Sequence, residues 1–105
     1  MFRVIGTKTY LEEMEKLPKE YQAAAEKIAK KLAENPVLGD PLGYPFLRER
    51  RIREKRVYYL VYDDLKLVLV VAVGGKKDQQ ATIDHIKMQL DEYRLVAETM
   101  TMQDA

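Results

Sequence analysis

The spacing of apolar positions changes character along this chain, from helical to strand-like and back. Residues 2–5 read as a short opening strand. Thr9 and Glu12 then form the Thr-x-x-Glu pattern of a capping box, in which each side chain satisfies a free amide at a helix start. Tyr10, Leu11, Met14 and Leu17 share one helical stripe. Pro18 breaks it and enters the first turn of the next helix. Tyr21, Ala24, Ala25, Ile28 and Leu32 give a second stripe, ended by Asn35-Pro36. A hairpin of two amphipathic helices is expected.

Gly39, Pro41, Gly43 and Pro45 mark residues 37–45 as a loop. Beyond it, residues 50–53 and 56–62 read as strands. Residues 67–73 form a continuous apolar run, as in a strand buried on both faces and ended by Gly74-Gly75. Asp78 suits a helix cap, and Ile83, Ile86, Leu90, Tyr93 and Ala97 recur at three and four residues, a helix with a narrow apolar seam. That seam lasts about two heptads, too few for a coiled coil. The predicted order is β-α-α-β-β-β-α, an α+β sandwich with helices on one sheet face. The domain is expected to span 1–98, with 99–105 a flexible tail.

Composition narrows the class. A chain of 105 residues is one domain able to bury a core. The absence of cysteine removes disulfides and thiolate metal sites, and fits a cytoplasmic protein. One histidine and scattered carboxylates give no metal-ligand spacing, and no cofactor is implied. The net charge of +1 hides a polarised chain: residues 48–56 carry a local +4 and residues 78–105 a local −4.

That basic stretch, Arg48, Arg50, Arg51, Arg53, Lys55 and Arg56, runs straight into a strand pattern. Arginines presented from a rigid sheet suit a polyanion, with RNA or DNA the first candidate. A hairpin turning at Glu54-Lys55 sets Arg53 opposite Arg56, Ile52 opposite Val57 and Arg51 opposite Tyr58. Ile52, Val57, Tyr59 and Val61 would then face the helices. Arg51, Arg53, Arg56, Tyr58, Leu60 and Tyr62 would share the other face. A four-residue loop from Arg53 to Arg56 keeps Ile52 opposite Val57 and frees both arginines. Like charges opposed across a ladder destabilise it, so a bound anion would give Arg53 and Arg56 their reason. Tyr58 and Tyr62 are equally readable as base-stacking rings and as good strand formers. His85 falls off the apolar seam, towards solvent.

Arg51-Ile-Arg53, Arg56-Val-Tyr-Tyr-Leu-Val-Tyr and Leu67-Val-Leu-Val-Val-Ala-Val-Gly, in this order of elements, resemble the RelE/ParE toxin superfamily over residues 2–77. The resemblance implies a toxin of a type II toxin–antitoxin system, held inactive by a cognate antitoxin. It further implies ribosome-dependent mRNA cleavage, as in the RelE branch. The alternatives are gyrase inhibition, as in the ParE branch, and a catalytically inactive binding module whose last helix covers the arginine face. A homodimer is compatible with each. In the RelE reading Arg53, Arg56 and Lys76 are catalytic, while Arg48, Arg50, Arg51, Tyr58 and Lys77 hold RNA. Cations there would stabilise the charge gathered by the phosphorane, and arginine's fork matches two phosphate oxygens. Two departures from the RelE pattern stand out: lysine replaces the arginine after the last strand, and residues 78–82 hold neither tyrosine nor histidine.

Overall fold

The computed structural model describes residues 1–103. Five strands form one sheet in the order β1-β5-β4-β3-β2. They are β1 (Arg3–Gly6), β2 (Asp40–Pro41), β3 (Leu47–Ile52), β4 (Lys55–Tyr62) and β5 (Leu67–Gly75). β1 runs parallel to β5 and the other pairs are antiparallel, so the sheet is mixed. Helices α1 (Lys8–Glu15) and α2 (Lys19–Glu34) follow β1 as the expected hairpin. A 3-10 turn (Lys76–Asp78), α3 (Gln79–Met88) and α4 (Leu90–Gln103) follow β5.

Thr7, not Thr9, starts α1, its hydroxyl accepting from the Tyr10 amide at 3.2 Å. Pro18 sits just outside α2 as its cap residue. Tyr10, Met14 and Leu32 press onto Ile52, Val57, Tyr59, Val61, Val68 and Val70, forming the first core. The faces read from the alternation of β4 are thus the ones observed.

The other face is not open. Leu47, Tyr58, Leu60, Leu69 and Val71 form a second core with Ile83 and Ile86 of α3, partly covered by Leu90, Tyr93 and Val96 of α4. Helices therefore cover both sheet faces, which corrects the one-sided sandwich. Two strands apolar on both sides require two covering layers. Between Tyr58 and Tyr59 the β4–β5 register slips: Tyr58 pairs with Ala72 and Tyr59 with Val70. The bulge at Val71 returns Val73 to the first core.

The expected single C-terminal helix breaks at Gln89, whose amide reaches back to the Ile86 carbonyl at 3.0 Å. α4 is pinned by Arg94, which donates to both Asp64 oxygens at 3.0 and 2.6 Å and lies over the Tyr62 ring. It is helical to Gln103, so most of the stretch expected as a tail is ordered helix, while positions 104 and 105 lie outside the described residues. Among the described residues no helix is long and apolar enough to cross a membrane.

Candidate nucleic-acid interface

The β3–β4 hairpin turns one residue earlier than expected, at Arg53-Glu54, with Ile52 paired to Lys55 and Arg51 to Arg56. β5 extends to Gly75 and offers Lys55 and Arg56 ladder partners, so β4 starts at Lys55. The opposed cations are therefore Arg51 and Arg56, not Arg53 and Arg56. Arg53 takes the left-handed turn position, with φ at +53°. Its guanidinium lies 3.8 Å from Glu20 of α2, an exposed pair of small energetic weight.

Arg51 and Arg56 share the face of Glu49. The three line a concavity of about 500 Å3 with Gly39, Asp40, Arg50 and Arg53. Arg56 Nε lies 3.5 Å from Glu49 Oε1, and both side chains are largely buried. Gln79 at the start of α3 donates from Nε2 to both carboxylate oxygens, at 3.2 and 2.9 Å. Arg51 is exposed and donates to the Arg53 carbonyl at 2.9 Å, which holds it along the rim. Gly39 is essential to this wall, because a Cβ there would stand 2.1 Å from the Glu49 carbonyl oxygen. Its amide instead donates to the Tyr59 hydroxyl at 2.8 Å.

The other expected site residues lie elsewhere. Arg48 is spent on the loop, donating to the carbonyls of Gly39, Pro45 and Val37 at 3.1, 2.7 and 3.3 Å. Lys76 and Lys77 are exposed on the 3-10 turn and do not line the concavity. Tyr58 is fully buried under α3, so its ring is not offered to a base. Its hydroxyl has no hydrogen-bond partner among the described residues. Burial first, then the Glu49 charge, pushes that hydroxyl above the usual tyrosine value, against the pull of Arg56. His85 is exposed on α3, as its position off the seam indicated.

The sequence reading missed Glu49 and Gln79. Period-two alternation places Glu49 on the face of Arg51, a signal present in the chain, and the observed register sets it opposite Tyr58. Nothing in sequence marks Gln79. Among the described residues, no cluster of three or more ligating side chains fits a metal ion.

Residues 4–80 match the family described as "ParE toxin of type II toxin-antitoxin system, parDE". The chain belongs to this ParE toxin family. Its fold is shared with solved RelE structures. An Escherichia coli RelE double mutant in the free state superposes with a TM-score of 0.72 at 21% identity, covering 83% of this chain and 96% of that one. The intact E. coli RelBE toxin–antitoxin complex gives 0.65 at 23%, covering 71% and 96%. The RelBE2 complex of Mycobacterium tuberculosis gives 0.63 at 25%, covering 71% and 91%. No curated protein matches. Both the superfamily and the α+β architecture expected from sequence hold for this ParE-family chain.

Proposed function

We propose that this ParE-family protein is a toxin that cleaves mRNA on the ribosome and is restrained by a cognate antitoxin. The observation that carries the reading is the Arg51–Arg56 pair opposed across one ladder position beside Glu49, inside an open concavity. Two facing guanidiniums cost stability unless an anion joins them. A scissile phosphate would compete with Glu49 for Arg56 and bring Arg51 to the same anion, and its bidentate geometry suits arginine. Arg53 adds charge at the rim, and Lys76 and Lys77, outside the concavity, are left for ribosomal RNA. The 2′-hydroxyl attacks phosphorus, the bond to the 5′-oxygen breaks, and a cyclic phosphate and a 5′-hydroxyl result. Glu49, oriented by Gln79, takes the 2′-hydroxyl proton, and water protonates the departing oxygen. The antitoxin partner is supported by the solved relatives, several of which are toxin–antitoxin complexes.

The test is primer extension on mRNA in translating ribosomes. Wild type should cut at the decoding site, and Arg51→Ala/Arg56→Ala should not. Glu49→Gln should cut roughly 100- to 10,000-fold more slowly, the usual worth of a positioned base. The ParE family match and the lack of tyrosine or histidine in residues 78–82 favour gyrase inhibition as the second reading. Intact mRNA together with blocked gyrase supercoiling would replace the first by the second. No effect on either target would leave an inactive binding module.

A further inference from the structure

The loop before β3 divides its apolar side chains in two directions. Leu42 and Leu47 turn into the second core. Tyr44 and Phe46 stay outside, 41% and 36% exposed, with rings stacked at 4.9 Å between centroids and 25° between planes. Solvent-facing rings gain little from burial, yet this pair is held firmly. Arg48 ties the loop through three carbonyls. The Tyr44 carbonyl accepts from the Leu47 amide at 3.2 Å, and the Phe46 carbonyl from the Val61 amide at 2.8 Å. Lys87 of α3 places Nζ 5.7 Å from the Tyr44 ring centroid. Gly43, at φ +92°, leaves that ammonium room, since a Cβ would stand 2.9 Å from Nζ.

The hollow that Tyr44 lines and the arginine cleft meet at the β2 edge. Asp40 lines the cleft, and the next residue, Pro41, lines the hollow of about 330 Å3 formed with Gly43, Tyr44, Pro45 and Arg48. Asp40 and Pro41 pair with Glu49 and Arg48, so both hollows share the β2 edge. From Phe46, the residue before β3, to Arg51 the chain spans at most about 17 Å, five residues at about 3.3 Å each. A rigid aromatic pair, a cation beside it and a phosphate-binding cleft along the same edge match one ligand chemistry. Single-stranded nucleic acid carries planar bases on an anionic backbone. We propose that Tyr44 and Phe46 form a stacking platform for a base of the strand whose phosphates occupy the Arg51–Arg56 cleft, with Lys87 holding a flanking phosphate. This deepens the RNA reading above and rests on it.

The test is fluorescence anisotropy at low salt with two labelled nine-nucleotide strands. One is oligo-uridine with 2′-O-methyl groups, which removes the nucleophile, and the other is the same backbone without bases. Tyr44→Ala/Phe46→Ala should weaken binding of the base-bearing strand by roughly five-fold or more and leave the abasic strand unchanged. Tyr44→Phe should bind as wild type does. If the alanine pair does not fold, Tyr44→Leu/Phe46→Leu keeps the apolar bulk without the π-face and should show the same selective loss. Equal losses on both strands overturn the platform, and so does unchanged affinity, the result expected if these rings meet a protein partner instead. Wild type binding neither strand would discard the RNA reading together with the platform. Binding that needs Arg51 and Arg56 but ignores the rings would discard the platform alone.

Discussion

At the scale of single residues, Tyr58 and Arg53 each carry a cost that their surroundings do not return. The Tyr58 hydroxyl is buried without a partner between Glu49 and Arg56. Desolvating a hydroxyl without a hydrogen bond costs on the order of 1–3 kcal/mol. Tyr58→Phe should therefore raise stability by about 1 kcal/mol, read as a higher urea midpoint at constant slope. A loss of stability would mean the hydroxyl is bonded in solution, and lost cleavage in a stable variant would give it a part in the chemistry. Arg53 holds φ +53° without being glycine, a conformation that costs about 1 kcal/mol. Arg53→Gly should stabilise by roughly that amount, relieving strain at the turn while removing one rim charge. A destabilised variant would show that the Glu20 pair outweighs the strain.

At the scale of elements, the alternation of β4 was legible because its side chains obey a strict period of two. Ile52, Val57, Tyr59 and Val61 reached the predicted face for that reason. The opposition of arginines was not legible, because it depends on which residue accepts a left-handed turn. That choice lies with Arg53, a residue type with no preference for it. The second helical layer was also hidden. Tyr58, Leu60 and Tyr62 looked like one face of an open strand, but Tyr58 and Leu60 are core beneath α3 and Tyr62 is half-covered by α4. The clamp of Arg48 on three carbonyls, 3 to 11 residues away, leaves no sequence pattern at all. The docking of α4 carries its own signature in pH. Burial pushes the Tyr62 hydroxyl up to about 12, although the Arg94 charge pulls it down. The fold keeps the neutral phenol, so this contribution is complete below the unfolded value near pH 10 and is lost between about 10 and 12. Absorbance titration should show an ionisation near pH 12 that Tyr62→Phe removes, and that variant should also lose less stability across that window. Tyrosines ionising together near pH 10 in folded protein would mean that α4 does not shield Tyr62.

At the scale of the whole molecule, charge separation matters more than the net +1. The arginine cleft lies at the β3–β4 hairpin, whereas Asp84 lies on α3 and Asp91, Glu92 and Glu98 lie on α4. Arg94 of α4 is spent internally, since its hydrogen bond to Asp64 in the β4–β5 turn holds that carboxyl below the usual range. Inside the cleft Glu49 pairs with Arg56, shielding it until an anion competes for it. Long-range attraction should then come from Arg51, Arg53 and Arg56 acting as one patch, and counterion release counts them. For a single strand, log K falls with log salt by roughly 0.7 per neutralised phosphate, so the three arginines together contribute a slope near −2. Arg51→Ala/Arg56→Ala should reduce that slope to roughly −0.7, with the fold intact by circular dichroism. Lys76→Ala/Lys77→Ala should leave the slope of an isolated strand unchanged, since neither lysine lines the cleft. If the lysine pair flattens the slope and the arginine pair does not, phosphates track the 3-10 turn rather than the hairpin. The Arg51–Arg56 opposition would then be a cost without a ligand to explain it.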